Sequence, residues 1–475
     1  MILTIDYGTT NLKAALINKE GDFFNYYSEQ VPLISKNEIQ EVNSSIYLNF
    51  LINYLKKIDR KLIEAIIISS NGPSVLSLYS DIKITNNKII SNQSNTRLWM
   101  DKRGKKYSKI VSKYYNTYID GSFFLPSILS IKEEDFATYD GSKYFFTIDG
   151  FINYFLTKKA YTVNNANLLK KYYWNDNSLK HFDLDETKFP PFIDCGNIIG
   201  NIDSSISKFL DLNENIQVIA GGSDFYYSLI GSNITKENII ADINGTSEGV
   251  NLCVKNYIDD NRFLCYEHPL QGYYNLSGVI TNAGIAINWI RNILGIEDLD
   301  FDTIYSLAEK STKNNIIFLP YLNGERAPIW DTNATASFFN LTNNSKREDI
   351  ARAVIEGTIF SFKSVIEEFK NLGCSIEEIH TTTNKEKNNF YYQLKSDILG
   401  KKIIVYKTKS VELLGLATMA YKNIYKSNNI NEAFNDMKIN ATTYIPNNFE
   451  NDYYDEKYNL FKNIYISTKT FMKKI

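Results

Sequence analysis

The chain opens with the stretch Ile2-Leu3-Thr4-Ile5-Asp6-Tyr7-Gly8-Thr9-Thr10-Asn11-Leu12-Lys13, and residues 14–17 continue it with apolar side chains. This pattern predicts a buried strand, a tight turn and a second strand. Gly8 lets the backbone bend and lie close to a ligand, and Thr9, Thr10 and the nearby amides are donors suited to a phosphate. Asp6, at the strand end, suits a hydrated Mg²⁺, because that ion prefers one or two carboxylates together with water and phosphate oxygens. A hairpin turn uses the same residues for structural reasons alone, so the stretch by itself leaves both interpretations open.

A second copy of the pattern lies near the middle of the chain. Residues 239–247 are Ile-Ile-Ala-Asp-Ile-Asn-Gly-Thr-Ser, and residues 250–254 continue as a strand. Gly8 and Gly245 are 237 positions apart, close to half of the 475 residues, which predicts a duplicated domain with a cleft between the copies. When the copies are aligned on the Gly-Thr pair, Ile243 takes the place of Asp6. We therefore expect only the first turn to carry the acid.

Composition limits the class of protein. The 475 residues are too many for one hydrophobic core and predict two domains, which we divide into residues 1–236 and 237–475. A hydrophobic content of 44% and a charged content of 22% are those of a soluble globular protein. The net charge of −2 gives no reason to expect a nucleic acid or an anionic membrane as partner. Without a signal-peptide pattern or an apolar run of about 18 residues, the chain is expected to be cytoplasmic.

The cysteines and histidines are few and widely scattered: Cys195, Cys253, Cys265, Cys374, His181, His268 and His380. No Cys-x-x-Cys pair occurs, so neither a zinc site nor a disulfide framework is indicated. None of the histidines lies in a ligand pattern, which argues against a histidine-metal centre.

Three further segments of the first half bring together residues suited to a small polar ligand. Asn71-Gly72-Pro73 follows an apolar strand over 62–69, at a strand end where open α/β sheets bind ligands; an ordinary loop is an equal alternative. The segment Thr96-Arg97-Leu98-Trp99-Met100-Asp101-Lys102-Arg103 combines an aromatic wall with charges, as polyol sites do, or simply anchors a helix start. Gly221-Gly222-Ser223-Asp224 joins a strand over 216–220 to a helix, so Asp224 is either an N-cap or a catalytic base.

The second half alternates strands and helices around one dense polar loop. The loop covers residues 320–330 and carries unpaired-looking charges. Apolar periodicity predicts helices over 286–294, 347–372, 390–399 and 411–424, and strands over 316–319, 376–383 and 402–406. The final stretch to residue 475 is predicted to be helical and peripheral.

In this order, the segments resemble the motifs of the FGGY family of carbohydrate kinases. The resemblance rests on Asp6-Tyr7-Gly8-Thr9-Thr10 with Lys13, and on residues 99–103, 221–224, 245–247, 320–328, 353–357 and 396–400. These stretches run from about residue 1 to residue 425. Each is weak alone, but the ordered set, above all Pro-Tyr-Leu-x-Gly-Glu-Arg-x-Pro, is specific.

The resemblance implies an α/β fold with two ribonuclease-H-like domains of the actin and hexokinase type and a cleft between them. It implies transfer of the γ-phosphoryl group of ATP to a sugar hydroxyl, with the sugar and the catalytic base in the N-terminal domain and the nucleotide in the C-terminal one. Asp224 is then the base, and Asp6 supports Mg²⁺ or its waters. The sugar site is expected to contain Asn71, Gly72, Pro73, Trp99, Asp101 and Asp224. The ATP site is expected to contain Gly8, Thr9, Thr10, Asn11, Lys13, Gly245, Thr246, Ser247, Thr383, Asn384 and Asn389.

The nucleotide side departs from the family pattern. A Gly-Gly-Gly or Gly-Gly-Ala turn usually follows strand 376–383, whereas this chain has Thr381-Thr382-Thr383-Asn384-Lys385, whose side chains could block or reshape the pocket. Leu416 adds bulk to a helix expected to border the same pocket. Glu248 follows the second Gly-Thr-Ser and is unfavourable beside a polyphosphate unless it faces away or meets a cation. These changes leave open weak ATP binding, another phosphate donor or a loss of activity.

The substrate class follows from the resemblance as well. Glycerol kinases usually have an Arg-Glu pair where this chain has Asn71-Gly72-Pro73-Ser74, and the Gly-Pro-Ser form is similar to the xylulose and gluconate branches. A ketopentose such as xylulose is expected, and a sugar acid stays open because Arg97, Lys102 or Arg103 could meet its carboxylate. A non-catalytic sugar-binding relative is the alternative from another class. Homodimers are common in the family, but no segment here indicates one.

Overall fold

The computed structural model describes residues 1–234, 236–311, 314–383, 387–447 and 451–472, except for the side chain of residue 451. The chain forms two compact units. Unit 1 combines Met1–Gly231 with Lys409–Lys438, and unit 2 combines Ser232–Thr408 with Ile439–Ile475. The chain therefore returns to unit 1 late in the sequence, which a single boundary after residue 236 does not describe.

The strands of the described residues are numbered in chain order. The first half contains β1 Ile2–Tyr7, β2 Asn11–Ile17, β3 Phe23–Gln30, β4 Ile34–Lys36, β5 Ile39–Val42, β6 Ala65–Ser70, β7 Leu76–Leu78, β8 Lys83–Thr85, β9 Lys88–Ile90, β10 Thr96–Arg97, β11 Tyr144–Phe146, β12 Thr162–Asn164, β13 Phe192–Asp194, β14 Ile198–Asn201 and β15 Gln217–Ser223. The second half contains β16 Ile239–Ile243, β17 Glu248–Val254, β18 Leu264–Glu267, β19 Tyr274–Ile280, β20 Ile317–Leu319, β21 Ser337–Phe339, β22 Glu378–Thr382, β23 Lys402–Tyr406 and β24 Ala441–Tyr444.

The α-helices are numbered in the same way. They are α1 Ser45–Leu55, α2 Lys105–Tyr115, α3 Phe124–Glu134, α4 Phe136–Gly141, α5 Ile148–Thr157, α6 Asp176–His181, α7 Ser204–Leu210, α8 Asp224–Gly231, α9 Ala283–Ile293, α10 Asp302–Glu309, α11 Arg347–Asn371, α12 Asn389–Leu399, α13 Val411–Ile424, α14 Ile430–Asp436 and α15 Asn451–Thr468. Short 3₁₀ turns occur at Arg60–Leu62, Asn167–Tyr172 and Glu186–Lys188. None of the described helices is long and apolar enough to cross a membrane.

Unit 1 is built on a six-stranded sheet with the order β14-β15-β6-β1-β2-β3. Strand β1 is antiparallel to β2 and parallel to β6, and all six of its residues are buried. Helix α13 packs against α8 and β1. The two helix backbones come close because Gly415 lies against the carbonyl oxygen of Tyr227, where a Cβ would be only 2.0 Å away. Gly415 thus serves the packing of α13 within unit 1.

Unit 2 repeats the same central arrangement. Its seven-stranded sheet has the order β18-β19-β17-β16-β22-β23-β24, with β16 antiparallel to β17 and parallel to β22. Its core also contains α15, in which Tyr454 and Phe461 are buried. The prediction that the C-terminal stretch is helical is therefore confirmed for α15, but the prediction that it is peripheral is wrong, because its apolar side chains complete the core of this unit.

Candidate active site and nucleotide site

The first Gly-Thr hairpin places one carboxylate at the end of a buried strand. Asp6 is 1% exposed, and its Oδ1 accepts a hydrogen bond of 2.8 Å from the hydroxyl of Ser69 on the neighbouring strand β6. The turn that follows needs a glycine, since a Cβ on Gly8 would lie 2.8 Å from the carbonyl oxygen of Asn11. Thr10 is exposed, and Gly8, Thr9 and Asn11 are partly exposed, so the turn is accessible to a ligand.

Lys13 is enclosed by carboxylates. It faces Asp6 in the β1–β2 ladder, with 3.7 Å between its Nζ and Oδ2 of Asp6, and its Nζ donates at 3.0 Å to Oε2 of Glu412. Glu412 lies in the first turn of α13 and also accepts from the hydroxyl of Ser410. Burial raises the pKa of Asp6 to about 7, although Lys13 acts in the opposite direction. The pKa of Glu412 is lowered despite its burial, mainly because Lys13 compensates its charge.

Asp224 stands at the junction of β15 and α8. A Cβ on Gly221 would lie 1.8 Å from the carbonyl oxygen of Ile68, so only glycine lets β15 pass this close to β6. Gly222 has φ +105°, and the amide of Asn165 closes over this turn by accepting at 2.9 Å from the backbone N–H of Ser223. This turn, which the two glycines permit, therefore places the first residue of α8, Asp224, at the sheet edge.

The Asp224 carboxylate keeps one oxygen for a ligand. Its Oδ1 accepts from the backbone N–H of Phe225 at 2.7 Å, and no group of the described residues occupies Oδ2. Burial raises the pKa of Asp224 well above its ordinary value, and the charges of Asp6 and Glu412 raise it further. Three carboxylates thus act on one another around the single ammonium group of Lys13.

This arrangement fits a divalent cation that keeps its own waters. Within the described ranges, no group of three His, Cys, Asp or Glu side chains is close enough to hold a metal by itself. Burial is the main cause of the raised pKa values of Asp6 and Asp224, and the charge of Glu412 raises both further, so a cation would relieve the negative potential at this place. Mg²⁺ matches such a site, because it binds one or two carboxylates and otherwise water and phosphate oxygens.

The residues predicted for the sugar site are not all available to a ligand. Trp99 is 44% exposed, and its indole Nε1 donates at 2.9 Å to the hydroxyl of Thr9. Asn71 is buried; its amide donates at 2.8 Å to the carbonyl of Tyr7 and accepts at 2.7 Å from the hydroxyl of Ser74. Trp99 can therefore contact a ligand, whereas the Asn71 side chain is used to hold the turn against β1.

The Gly72–Pro73 turn lies beside the catalytic region. Its peptide bond is cis, and the Cβ position of Gly72 is 3.7 Å from the hydroxyl of Tyr173. The pKa of Tyr173 is raised by burial and by the charges of Asp149 and Asp224. Tyr173 thus lies beside the turn and within reach of the charge of Asp224, and it could not be found from the sequence because neither its spacing nor its surroundings form a motif.

Asp101, expected to bind a sugar hydroxyl, has its carboxylate enclosed by protein partners, and its role in the sugar site stays a prediction. Its carboxylate is 2% exposed and accepts from the guanidinium of Arg103 at 2.8–3.1 Å and from the backbone N–H of Gln40 at 3.0 Å. These partners saturate its oxygens. Arg103 also binds Glu41, and Lys102 pairs with Asp120 at 3.0 Å.

The second Gly-Thr hairpin lies against a helix start in unit 2. Gly245 and Thr246 are exposed, and the carbonyl of Thr246 accepts from the backbone N–H groups of Gly284 and Ile285 in α9. A Cβ on Gly284 would lie 2.6 Å from the carbonyl oxygen of Gly245, so glycine is required for this contact. The hydroxyl of Ser247 donates to the carbonyl of Thr281. The turn is open to solvent on one side and supported on the other.

The strand register corrects the expectation that Ile243 replaces Asp6. Asp6 is the penultimate paired residue of β1, and Asp242 is the penultimate paired residue of β16. The second turn has one residue more between its last paired positions, 244–248 against 8–11, so alignment on the Gly-Thr pair shifts the strands. Both hairpins therefore carry an acid at the same place.

The acid of the second hairpin is neutralised inside unit 2. The ammonium of Lys395, on α12, is fully buried and binds Asp242 at 2.6 Å and Glu248 at 2.9 Å. Lys387 adds a second ammonium 3.4 Å from Glu248 and also donates to Asn244 and to the hydroxyl of Tyr391. The pKa of Glu248 is lowered to about 2, since the two lysines outweigh its burial. The expected repulsion between Glu248 and a polyphosphate is thus offset by two cations.

The described part of the altered turn after β22 ends at Thr383. Thr383 donates its hydroxyl to the carbonyl of Thr408 and accepts from the backbone N–H of the same residue. Asn384 lies outside the described residues. Asn389 is the first residue of α12 and accepts from the hydroxyl of Tyr444 at 2.6 Å. Lys387 and Tyr391 line a narrow pocket with Gly245, Gly284 and Tyr305.

Two units with the same central strand arrangement, each presenting a Gly-Thr turn, are typical of the actin and hexokinase fold class. The chain belongs to the FGGY family of carbohydrate kinases: the family's N-terminal domain model matches residues 1–231 and its C-terminal domain model matches residues 242–423. This confirms the family and the fold class expected from the sequence motifs. The protein is a sugar kinase, which transfers a phosphoryl group to an alcohol acceptor, and the family implies ATP as the donor.

The chain is similar to several sugar kinases along its length. A xylulose kinase from Staphylococcus epidermidis is 26% identical, with 99% of this chain and 97% of the relative covered. A gluconokinase from Bacillus subtilis is 25% identical, with 87% and 86% covered. The solved structure of a ligand-bound xylulose kinase from Lactobacillus acidophilus has a TM-score of 0.83 and 25% identity, covering 99% of both chains.

Proposed function

We propose that the protein phosphorylates a ketopentose, most simply xylulose, with ATP and Mg²⁺, and that Asp224 is the general base. The observation that carries this proposal is the carboxylate of Asp224, held at the sheet edge with one oxygen unoccupied by the described residues. Full-length similarity to xylulose kinases supports the substrate class.

In this mechanism Asp224 accepts the proton of the sugar hydroxyl as its oxygen bonds to the γ-phosphorus of ATP, and the bond from that phosphorus to the β,γ-bridging oxygen breaks to release ADP. Phosphoryl transfer depends on positioning and charge stabilisation more than on covalent help, and base assistance contributes on the order of 10²–10⁴-fold. The raised pKa of Asp224 favours this role, because a base with a pKa closer to the working pH accepts a proton more readily. Trp99 offers an exposed aromatic face for the sugar ring.

Asp6 is proposed to hold Mg²⁺ through its waters, with Ser69 and Lys13 fixing the carboxylate. When bound, the ion would neutralise charge on the phosphate oxygens. The Gly8–Asn11 turn in unit 1 and the Gly245–Ser247 turn in unit 2 are proposed to donate hydrogen bonds to phosphates. Thr383, Asn384 and Asn389 stay predictions for the nucleoside side.

A sugar acid is less well supported than a ketopentose. The cations expected to meet its carboxylate already have partners: Arg103 binds Asp101 and Glu41, and Lys102 binds Asp120. Arg97 is largely buried and donates to Ser130. Gluconate remains the second candidate because of the similarity to gluconokinases over most of the chain. A cytoplasmic location and a homodimer complete the proposal.

The test is a panel of xylulose, ribulose, gluconate and glycerol, each with Mg-ATP, followed by ADP release and identification of the phosphorylated product. We expect turnover of a ketopentose and loss of about 10²–10⁴-fold in kcat for Asp224→Asn, with little change in ATP affinity. Asp140→Asn, on the exposed end of α4, is the matched control and should leave turnover unchanged. Thermal stabilisation by sugar without any response to Mg-ATP would instead support a non-catalytic relative.

A further inference from the structure

The charged loop between β20 and β21 lies beside the Gly245–Ser247 turn of unit 2. Gly324 has φ +70°, and a Cβ there would lie 2.9 Å from the carbonyl oxygen of Asp331, so the loop folds tightly on itself. The buried amide of Asn282, next to the start of α9, donates to the carbonyl of Gly324 at 2.6 Å and accepts from the N–H of Asn323. The loop is therefore fixed to the same helix end that supports the turn.

Glu325 and Arg326 have different roles in this loop. Oε1 of Glu325 accepts from the backbone N–H groups of Thr281 and Arg326 at 2.6 and 2.8 Å, which holds the loop in place. The guanidinium of Arg326 binds two hydroxyl groups: Nε donates to the hydroxyl of Thr281 at 3.2 Å, and Nη2 donates to the hydroxyl of Ser247 at 3.0 Å. Arg326 thus contacts the last residue of the Gly-Thr-Ser turn.

The cations around this turn differ in their partners. Lys395 binds two carboxylates and Lys387 binds one, so neither has uncompensated charge. The guanidinium of Arg326 is partly exposed and, among the described residues, has hydroxyl groups but no carboxylate as hydrogen-bond partners. Arginine stays charged at any working pH and presents paired N–H groups that match phosphate oxygens.

We infer that Arg326 binds a phosphate group of the nucleotide. This inference rests on the proposed function and extends it. It identifies a charged side chain that binds phosphate beside the Gly245–Ser247 turn, where backbone and hydroxyl donors alone were expected. Arg326 donates to the phosphate through the N–H groups that its two hydroxyl partners leave open. Arg326 recognises the polyphosphate of the nucleotide, not its base or its ribose.

The test compares ADP with adenosine, by calorimetric titration of the whole protein without sugar. For Arg326→Gln we expect ADP affinity to fall by about 10- to 100-fold while adenosine affinity is unchanged, because a charge-assisted hydrogen bond is lost only where phosphate is present. Arg326→Lys, which keeps the charge, should recover part of the ADP affinity. Arg262→Gln is the matched control: this arginine is also in unit 2 but is paired with Asp260 and Glu368.

Two results would overturn the inference. If Arg326→Gln binds ADP as tightly as the wild type, the arginine does not touch phosphate, and the proposed kinase function still stands. If ADP and adenosine lose affinity equally, Arg326 only supports the shape of the turn. This failure can be distinguished from a failure of the proposed function. If the wild type turns over a ketopentose and Arg326→Gln keeps full ADP affinity, only the inference about Arg326 fails. If the sugar panel shows no turnover, the proposed function fails.

Discussion

The two Gly-Thr hairpins carry an acid at the same ladder position but differ in the balance of charge around it. In unit 1, Asp6 pairs across the ladder with Lys13, and Glu412 and Asp224 add two more carboxylates around that single ammonium. In unit 2, Asp242 occupies the equivalent position, but Lys395 and Lys387 supply as many positive charges as Asp242 and Glu248 supply negative ones.

This difference indicates how a duplicated element has been divided between two tasks. An excess of carboxylates attracts a divalent cation and raises the pKa of a base, which suits the metal and sugar side of a kinase. A neutral cluster beneath a turn of exposed donors does not repel a polyphosphate. The comparison predicts that substitutions in the first hairpin affect mainly activity, and substitutions in the second affect mainly stability.

The largest effect is expected for Lys395→Met. Removing this fully buried ammonium leaves Asp242 and Glu248 facing each other without their main cation, and breaking a buried ion pair from one side typically costs about 3–5 kcal/mol. We expect early unfolding of unit 2 in calorimetry. Combining Lys395→Met with Asp242→Val and Glu248→Leu should restore most of the stability. A Lys395→Met protein as stable as the wild type would mean that the cluster does not hold the second hairpin.

The next effect concerns Asp6→Asn, which should lower kcat on the order of 100-fold or more, because metal support of the phosphoryl group is worth several kcal/mol. The stability of the folded Asp6→Asn protein should rise, although its kcat falls. The pKa of Asp6 is raised from 3.8 to about 7 in the folded protein, so folding becomes less favourable as the pH rises between these values. The melting temperature of Asp6→Asn should therefore exceed that of the wild type by more at pH 8 than at pH 5. A lower melting temperature at pH 8 would contradict this account.

Only part of the difference between the two hairpins could be predicted from the sequence. The β1–β2 hairpin was predictable, because an apolar strand followed by Asp-Tyr-Gly-Thr-Thr is a local pattern. The acid of the second hairpin was overlooked, because alignment on the Gly-Thr pair placed Ile243 opposite Asp6. The extra turn residue is visible only in the ladder pairing of Asp242 with Val250. Glu412 was missed because it meets Lys13 across 399 positions, and no local signal reports such a contact. The partners of Asp101, Arg103 and the backbone N–H of Gln40, could not be predicted either, because the contact with Gln40 depends on tertiary packing.

A third prediction concerns the pH profile. The value of kcat/KM should fall about tenfold per pH unit below pH 7, as the carboxylate of Asp6, whose pKa is raised to about 7, becomes protonated. Lys13→Met should move this midpoint to higher pH, because the ammonium lowers the pKa of Asp6 whereas Glu412 raises it. Asp242→Asn is the matched substitution in the second hairpin and should leave the midpoint in place. If Asp242→Asn moves the midpoint, the titrating group belongs to unit 2, and the proposed difference between the two hairpins is wrong.

The smallest effect is expected for Ser69→Ala, which removes the 2.8 Å hydrogen bond to Oδ1 of Asp6 without changing any charge. That bond favours the ionised carboxylate and lowers its pKa, and a hydrogen bond to a charged group is worth about 1.5–3 kcal/mol. We expect the pH midpoint of kcat/KM to rise by about one pH unit, with a severalfold loss at pH 7 and almost none at pH 9.

The neighbouring Ser70→Ala provides the control for this smallest effect. Ser70 is also buried on β6, and its hydroxyl donates at the same distance, 2.8 Å, to a different carboxylate, Oδ1 of Asp149. Loss of either hydroxyl removes one buried hydrogen bond, so general weakening of β6 would affect both variants alike. A shifted midpoint for Ser69→Ala alone would show that the hydroxyl acts through the ionisation of Asp6; equal losses at all pH values in both variants would show that it only supports the sheet.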